Sequence, residues 1–255
     1  DKIDLLIGGS PCTNFSVAGK GNGMITTDNQ ELLSLENYLE LKQKGFQFKG
    51  QSYLFWEYVR ILRETKPKYF LLENVKMKKK WEDLISKELG VKPVLINSNL
   101  FSAQNRQRLY WTNIELKDEI VDKGIKLKYI LEQNIDKSLY LSDDEIVKVQ
   151  FKKSKKSVHR VKNGFEYFFN EGSIQFPNSI EKKSQCLLAA GQGISRTTTY
   201  VDNGDGIRKL SPVECERLQN VPDNYTDNVS NSQRYKMLGN GWTVDVIAYI
   251  FSQMK

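Results

Sequence analysis

At 255 residues, with 39% hydrophobic and 11% aromatic side chains, the chain can fill the core of one large domain, alone or with a small insert, and is not generally disordered. Lys plus Arg outnumber Asp plus Glu by 38 to 31, a charge of +7 that suits a polyanionic partner without proving one, while no apolar run reaches the roughly 18 residues of a membrane span and residue 1 opens no signal peptide. Three cysteines argue against a secreted disulfide scaffold, and the single His159 against a His-rich metal centre or a Ser-His-Asp triad, so the composition predicts a soluble intracellular protein.

The first third alternates strand and helix signals. Ile3 to Ile7 is a short apolar run closed by Gly8-Gly9, as expected of a buried parallel strand. The stretch 29–49 reads as a helical insert. Tyr53 to Leu62 carries large apolar residues around most of its circumference and predicts a well-buried helix. After Pro67, Lys68 to Leu72 predicts a second buried strand, and Trp81 to Leu89 a helix ended by Gly90. Val91 to Ile96 and Arg108 to Ile114 are further strand candidates. This βαβαβ order implies a parallel or mostly parallel sheet with helices on both faces.

From about Leu116 to Ile207 the chain is polar, Lys-rich and poor in helical periodicity, which predicts a β-rich or irregular lobe. Ile146 to Lys162 holds seven Lys or Arg and no acidic residue. Val158, Val161, Phe165, Tyr167 and Phe168 are strand-forming, and Asn203 to Gly206 is a turn signal after Arg196 to Val201. Ser211-Pro212 starts a helix, and Val244 to Met254 is an apolar terminal helix.

Three motifs carry chemistry. Gly8-Gly9-Ser10-Pro11-Cys12 sets a thiol just beyond a strand, where open α/β sheets build their sites. A thiol is the strongest neutral-pH nucleophile available, although a lone cysteine is more often a packing residue, as Cys186 and Cys215 are read to be. Glu73-Asn74-Val75 ends the second strand, and a carboxyl in a partly desolvated pocket can hold a proton and donate it. In Gln104-Asn105-Arg106-Gln107-Arg108, alternation would put Gln104, Arg106 and Arg108 on one side, with two guanidiniums suited to phosphate and carbonyl oxygens.

Together and in this order, these motifs resemble the DNA cytosine-5 methyltransferase family: Gly9 to Ser16 (GSPCTNFS), Glu73-Asn74-Val75, and Gln104-x-Arg106-x-Arg108. Arg208 to Gln219 and Gly239-Asn240-Gly241-x-x-Val244 are similar to the family's two C-terminal motifs, so the likeness spans the chain. It implies a Rossmann-like class I methyltransferase α/β sheet, with residues 1–115 catalytic, 116–207 a small target-recognition lobe and 208–255 a return to the catalytic domain. Cys12, Glu73, Arg106 and Arg108 would be catalytic. Ser10, Ser16, Asn74 and Gln104 would bind the substrate, and Pro11 and Asn240 the cofactor, S-adenosylmethionine. Cys12 would add to C6 of a cytosine flipped out of double-stranded DNA, Glu73 would hold N3, and Arg106 and Arg108 would orient thiolate, base carbonyl and phosphate. The glycines at 19, 21 and 23 suit a closing loop, or equally an ordinary surface loop.

The sequence departs from the family in two places. Thr13 stands where glutamine is commonest. The strand and glycine-bearing phenylalanine motif that usually grip the cofactor do not precede the cysteine motif, so an N-terminal segment or a second chain is expected to supply them. Two alternatives stay open: a DNA-binding subunit or relic needing such a partner, and an RNA cytosine-5 methyltransferase, against which the basic lobe speaks. Cys186 to Val201 is the candidate base-reading stretch.

Overall fold

The structure is a computed structural model that describes residues 2–12, 14–15, 23–150, 157–162, 165–170, 177–189 and 199–255, with the backbone alone for 147–150, 157–162 and 165–170. Ser16, the glycines at 19 and 21, the lysines at 152, 153, 155 and 156, and most of the candidate base-reading stretch lie outside them. The chain divides into two compact units. The first comprises Asp1–Ile96, Gln107–Asp118 and Ile250–Lys255, and the second Asn97–Arg106 and Glu119–Tyr249.

The first unit begins with β1 (Leu5–Gly8), a two-residue β2 (Ile25–Thr26), α1 (Leu35–Gln43) and β3 (Phe48–Lys49). α1 supplies the helix expected within 29–49, though the end of that stretch forms β3. The Ser34 hydroxyl caps it by accepting the Asn37 N–H, and Leu35, Tyr38 and Leu41 turn inward. Next come α2 (Phe55–Thr65), β4 (Tyr69–Val75), α3 (Lys79–Leu89), β5 (Val94–Asn97) and β6 (Gln107–Thr112). In α3, Trp81, Ile85 and Leu89 repeat at the helical period and are buried, and Gly90 ends the helix in the left-handed conformation that glycine adopts without strain. α2 is less buried than its composition suggested. Phe55, Trp56, Tyr58 and Val59 face inward, while Glu57, Arg60 and Glu64 form ion pairs on the other side. The interspersed charges supply the second face.

The sheet runs β1-β4-β6-β5. β1 and β4 are parallel, from Leu5 opposite Tyr69 to Gly8 opposite Leu72. β4 and β6 are antiparallel, from Leu71 opposite Thr112 to Val75 opposite Arg108. The sheet is therefore mixed rather than parallel or mostly parallel. Only residues 98–106 separate β5 from β6, too few for the crossover of about a dozen residues or more that a parallel return needs. The central β4 is buried from Phe70 to Asn74. β1 is not the buried strand expected: it lies at the sheet edge, and Ile7 is 48% exposed. Phe55, Trp56, Trp81 and Trp111 centre the core of this unit.

The second unit contains α4 (Asp143–Gln150), an antiparallel hairpin of β7 (Ser157–Lys162) and β8 (Phe165–Asn170), and a sheet of β9 (Asn178–Ser179), β10 (Tyr200–Asp202) and β11 (Ile207–Lys209). The helix within the predicted β-rich stretch was hidden by its length. It is specified by its start, where Ser142 and Glu145 exchange hydrogen bonds, more than by periodicity. α5 (Pro212–Leu218), α6 (Asn231–Asn240) and most of α7 (Val244–Ser252) complete the unit. Its core gathers Ala103, Leu127, Val201, Leu210, Leu218 and Leu238. Among the described residues, no helix is long and apolar enough to cross a membrane.

Candidate active site

In the first unit, strand direction puts three motifs on one rim of the sheet. β1 and β4 are parallel, so the Ser10-Pro11-Cys12 turn that follows β1 and Glu73-Asn74 in the last residues of β4 lie toward the same rim. β6 is antiparallel to β4, so its beginning, at Arg108, meets β4's end. The reversed strand that the sequence did not predict is what delivers Arg108 here.

The contacts on this rim are direct. Asn74, almost fully buried, donates its side-chain amide to the Ser10 carbonyl at 3.1 Å and to Ser10 Oγ at 3.0 Å, tying the exit of β1 to the end of β4. Glu73 is buried to 8% exposure, and its Oε1 lies 2.9 Å from Arg108 Nε. The Cys12 thiol is exposed. Gly8 lets α2 pass close: a Cβ there would sit 2.7 Å from the Tyr58 ring.

In the second unit, Gln104 and Arg106 are interior side chains. The Gln104 amide donates to the Leu218 carbonyl at 2.9 Å and to Gln219 Oε1 at 3.1 Å, and its oxygen accepts the Leu187 N–H at 3.0 Å. Arg106 is 3% exposed. Its guanidinium donates to the carbonyls of Leu187 (3.0 Å), Gly239 (3.1 Å) and Gly241 (2.8 Å), and to Cys186 Sγ at 3.3 Å. These two side chains staple the 186–187 segment, the end of α5 and the glycines flanking Asn240. Asn240 itself is exposed as the last residue of α6. Gly239 has no room for a side chain, since its Cβ would lie 2.3 Å from the Leu188 carbonyl.

The Arg208 to Gln219 motif forms a second buried framework. The Glu214 carboxylate accepts both Arg208 Nη atoms, at 2.7 and 2.8 Å, and the backbone N–H groups of Ser211 and Glu132. Burial, with Glu214 and Glu216 nearby, pushes the Cys215 thiol well up, so it is kept as an unreactive thiol. Among the described residues no cluster of metal-ligating side chains occurs. Two residues here carry no motif signal: Ser52, whose hydroxyl touches the Pro11 to Asn14 turn, and Arg234, which pairs with buried Glu216.

The mixed α/β sheet has the Rossmann-like fold of methyltransferases of known structure. The family model described as C-5 cytosine-specific DNA methylase matches residues 1–255, and the chain belongs to that family. It is a DNA cytosine-5 methyltransferase. It is 26% identical to the type II methyltransferase M.Sau3AI of Staphylococcus aureus, over the whole of this chain and 78% of that protein. It is 28% identical to M.HpaII of Haemophilus parainfluenzae, over 97% of this chain and 70% of that one. The fold is also that of the Entamoeba histolytica methyltransferase EhMeth, with a TM-score of 0.63 at 14% identity, covering 99% of this chain and 78% of that one.

Proposed function

We propose that this enzyme methylates C5 of a cytosine flipped out of double-stranded DNA, through a covalent bond between Cys12 and C6 of the base. The observation that carries this is the shared rim, with an exposed thiol after β1 and a buried Glu73–Arg108 pair across β4 and β6. Cytosine C5 is a poor nucleophile. The Cys12 thiolate adds to C6 as Glu73 gives a proton to N3, and the electron pair moves to C5. Arg108 then holds the carboxylate left behind. After C5 is alkylated, its proton leaves to solvent, the C6–S bond breaks to restore the thiolate, and N3 returns its proton to Glu73. Asn74 keeps the cysteine turn against β4 throughout, and Ser10 borders the base; Ser16, outside the described residues, is read from its motif as a second substrate-binding residue. A base within a duplex cannot reach such a rim, so it must leave the stack.

S-adenosylmethionine would supply an electrophilic methyl group at this rim. Of the two residues expected to hold it, half-buried Pro11 stands at the exit of β1 in the first unit, and exposed Asn240 lies between glycines held by Arg106 in the second. Beside β1 the described residues offer no further strand, and Ile7 stands exposed there. An open apolar edge is normally covered. We therefore assign the free side of β1 to an N-terminal segment or a second chain that completes the cofactor site. The same edge favours a second reading, in which this chain alone is a DNA-binding subunit that does not transfer methyl groups. The lobe at 116–207 is read as the target-recognition part, with its lysines on phosphates and neighbouring side chains on bases. We place the activity, from its likeness to type II methyltransferases of bacteria, with DNA modification in a bacterial or phage-infected cytoplasm. Methyl transfer from labelled S-adenosylmethionine to cytosine in duplex DNA, compared for this chain and for its whole reading frame, tests the proposal. Label recovered as 5-methylcytosine supports it, and label on RNA alone would overturn it.

A further inference from the structure

We infer that Ser52 is a positioning residue for the Cys12 nucleophile, an assignment that rests on the covalent role proposed for Cys12. Ser52 Oγ donates to the Pro11 carbonyl at 2.9 Å and accepts the Asn14 N–H at 3.2 Å. One hydroxyl thus bridges the residue before the cysteine and the second residue after it. Of the small side chains, a hydroxyl donates and accepts at a single atom in this way, and a thiol does so only weakly.

The hydroxyl is itself rigidly placed. Ser52 is fully buried and opens the 3-10 turn Ser52–Leu54, which runs into α2 and its inward-facing Phe55 and Trp56. A second tie lies alongside, where the Asn14 amide donates to the Lys49 carbonyl at 3.0 Å. Gly50 (φ 70°) makes that approach possible, because a Cβ there would sit 2.5 Å from the Asn14 amide nitrogen. On the other side the Cys12 carbonyl accepts the Phe15 N–H at 2.9 Å, and Phe15 is fully buried against Trp81. The exposed thiol therefore rides on a turn pinned at both ends to the core. Addition to C6 needs sulfur held near its attack distance, and a displacement of about 1 Å can cost roughly a hundredfold in rate.

The test is the rate at which the enzyme, expressed from its whole reading frame, forms a covalent adduct on duplex DNA with 5-fluorocytosine at the target, under saturating DNA and S-adenosylmethionine. Ser52→Ala is expected to slow adduct formation about 10- to 100-fold, with the DNA Kd within about twofold of wild type. Ser52→Thr, which keeps the hydroxyl, is expected to recover most of the rate. If Ser52→Ala fails to fold, Asn14→Ala should slow the same step, since it cuts the parallel tie from a partly exposed position. An unchanged adduct rate in the folded variant overturns the assignment. So does a loss of DNA binding in step with the rate, which would mean a merely structural role. Absence of any adduct in wild type, or an adduct elsewhere than Cys12, overturns the nucleophile itself, and Ser52 with it.

Discussion

Arg108 Nε meets Glu73 Oε1 at 2.9 Å across a diagonal of the β4–β6 ladder, in which Arg108 stands opposite Val75 and Glu73 opposite Tyr110. Residues two apart on a strand share a face, and diagonal neighbours lie within reach of long side chains. The antiparallel register therefore sets the orientation of the Glu73 carboxyl. Removing the guanidinium with Arg108→Ala should lower single-turnover methyl transfer about 100-fold. Arg108→Lys should recover only part, because an ammonium lacks the planar fork. Glu73→Gln should be equally impaired, since an amide cannot donate a proton as a carboxylic acid does. Full activity in Arg108→Ala would separate the pair from catalysis.

Arg106 predicts a different phenotype. Its guanidinium is enclosed by the Leu187, Gly239 and Gly241 carbonyls, so Arg106→Ala takes a donor from each and leaves Leu187 and Gly241 with the longer 3.3 Å contacts from Cys186 Sγ and the Gln219 amide. A loss of about 3 kcal/mol in urea unfolding is expected, well beyond an ordinary surface change. Unaltered stability with lost activity would instead make Arg106 a direct participant in the chemistry.

These two arginines show where the sequence was legible and where it was not. Short-range signals read well: the Gly90 stop of α3, the Ser211 cap of α5, the strand-end positions of Cys12 and Glu73-Asn74, and the β7–β8 hairpin residues all rest on local rules. Alternation in Gln104 to Arg108 suggested one shared face, yet the side chains are claimed by separate partners. Arg106 goes to carbonyls more than 80 residues away in sequence, and Arg108 to Glu73. Long-range carbonyl partners leave no periodic trace in a sequence. Ser52 was illegible for the same reason, since a lone serine ahead of an apolar helix has no pattern. The exposed flank of β1 was missed because an apolar pentapeptide does not tell whether one neighbour or two will cover it.

Acid should weaken the second unit through Glu216. Burial raises its pKa, but hydrogen bonds from Thr226 and Arg234 and from the backbone N–H groups of Thr226 and Asn224 outweigh that and hold the carboxyl below the ordinary value. A depressed folded-state pKa gives stability that is present above the ordinary carboxylate range and lost as pH falls through the folded value. Glu216→Gln should cost about 3 kcal/mol at pH 7, because it leaves Arg234 without its charge partner. It should also flatten the decline in stability below about pH 4.5, the ordinary glutamate range. An acid limb identical to wild type would reject this role.

The basic run outside the described residues gives a salt test. Replacing Lys152, Lys153, Lys155 and Lys156 with alanine should weaken DNA binding and flatten its dependence on salt concentration, by roughly 0.9 in log–log slope for each lysine–phosphate pairing removed. An unchanged slope would return these lysines to a solvated surface.

The central claim is the nucleophile, and the most direct measurement is peptide mapping of the protein trapped on duplex DNA carrying 5-fluorocytosine at the target. Fluorine cannot leave as the C5 proton does, so the adduct persists. It should map to Cys12, and Cys12→Ser should bind DNA yet form no adduct and transfer no methyl group, since a serine hydroxyl is scarcely ionised near neutral pH. An adduct on Cys186 or Cys215, or methyl transfer at the wild-type rate by Cys12→Ser, would contradict the mechanism.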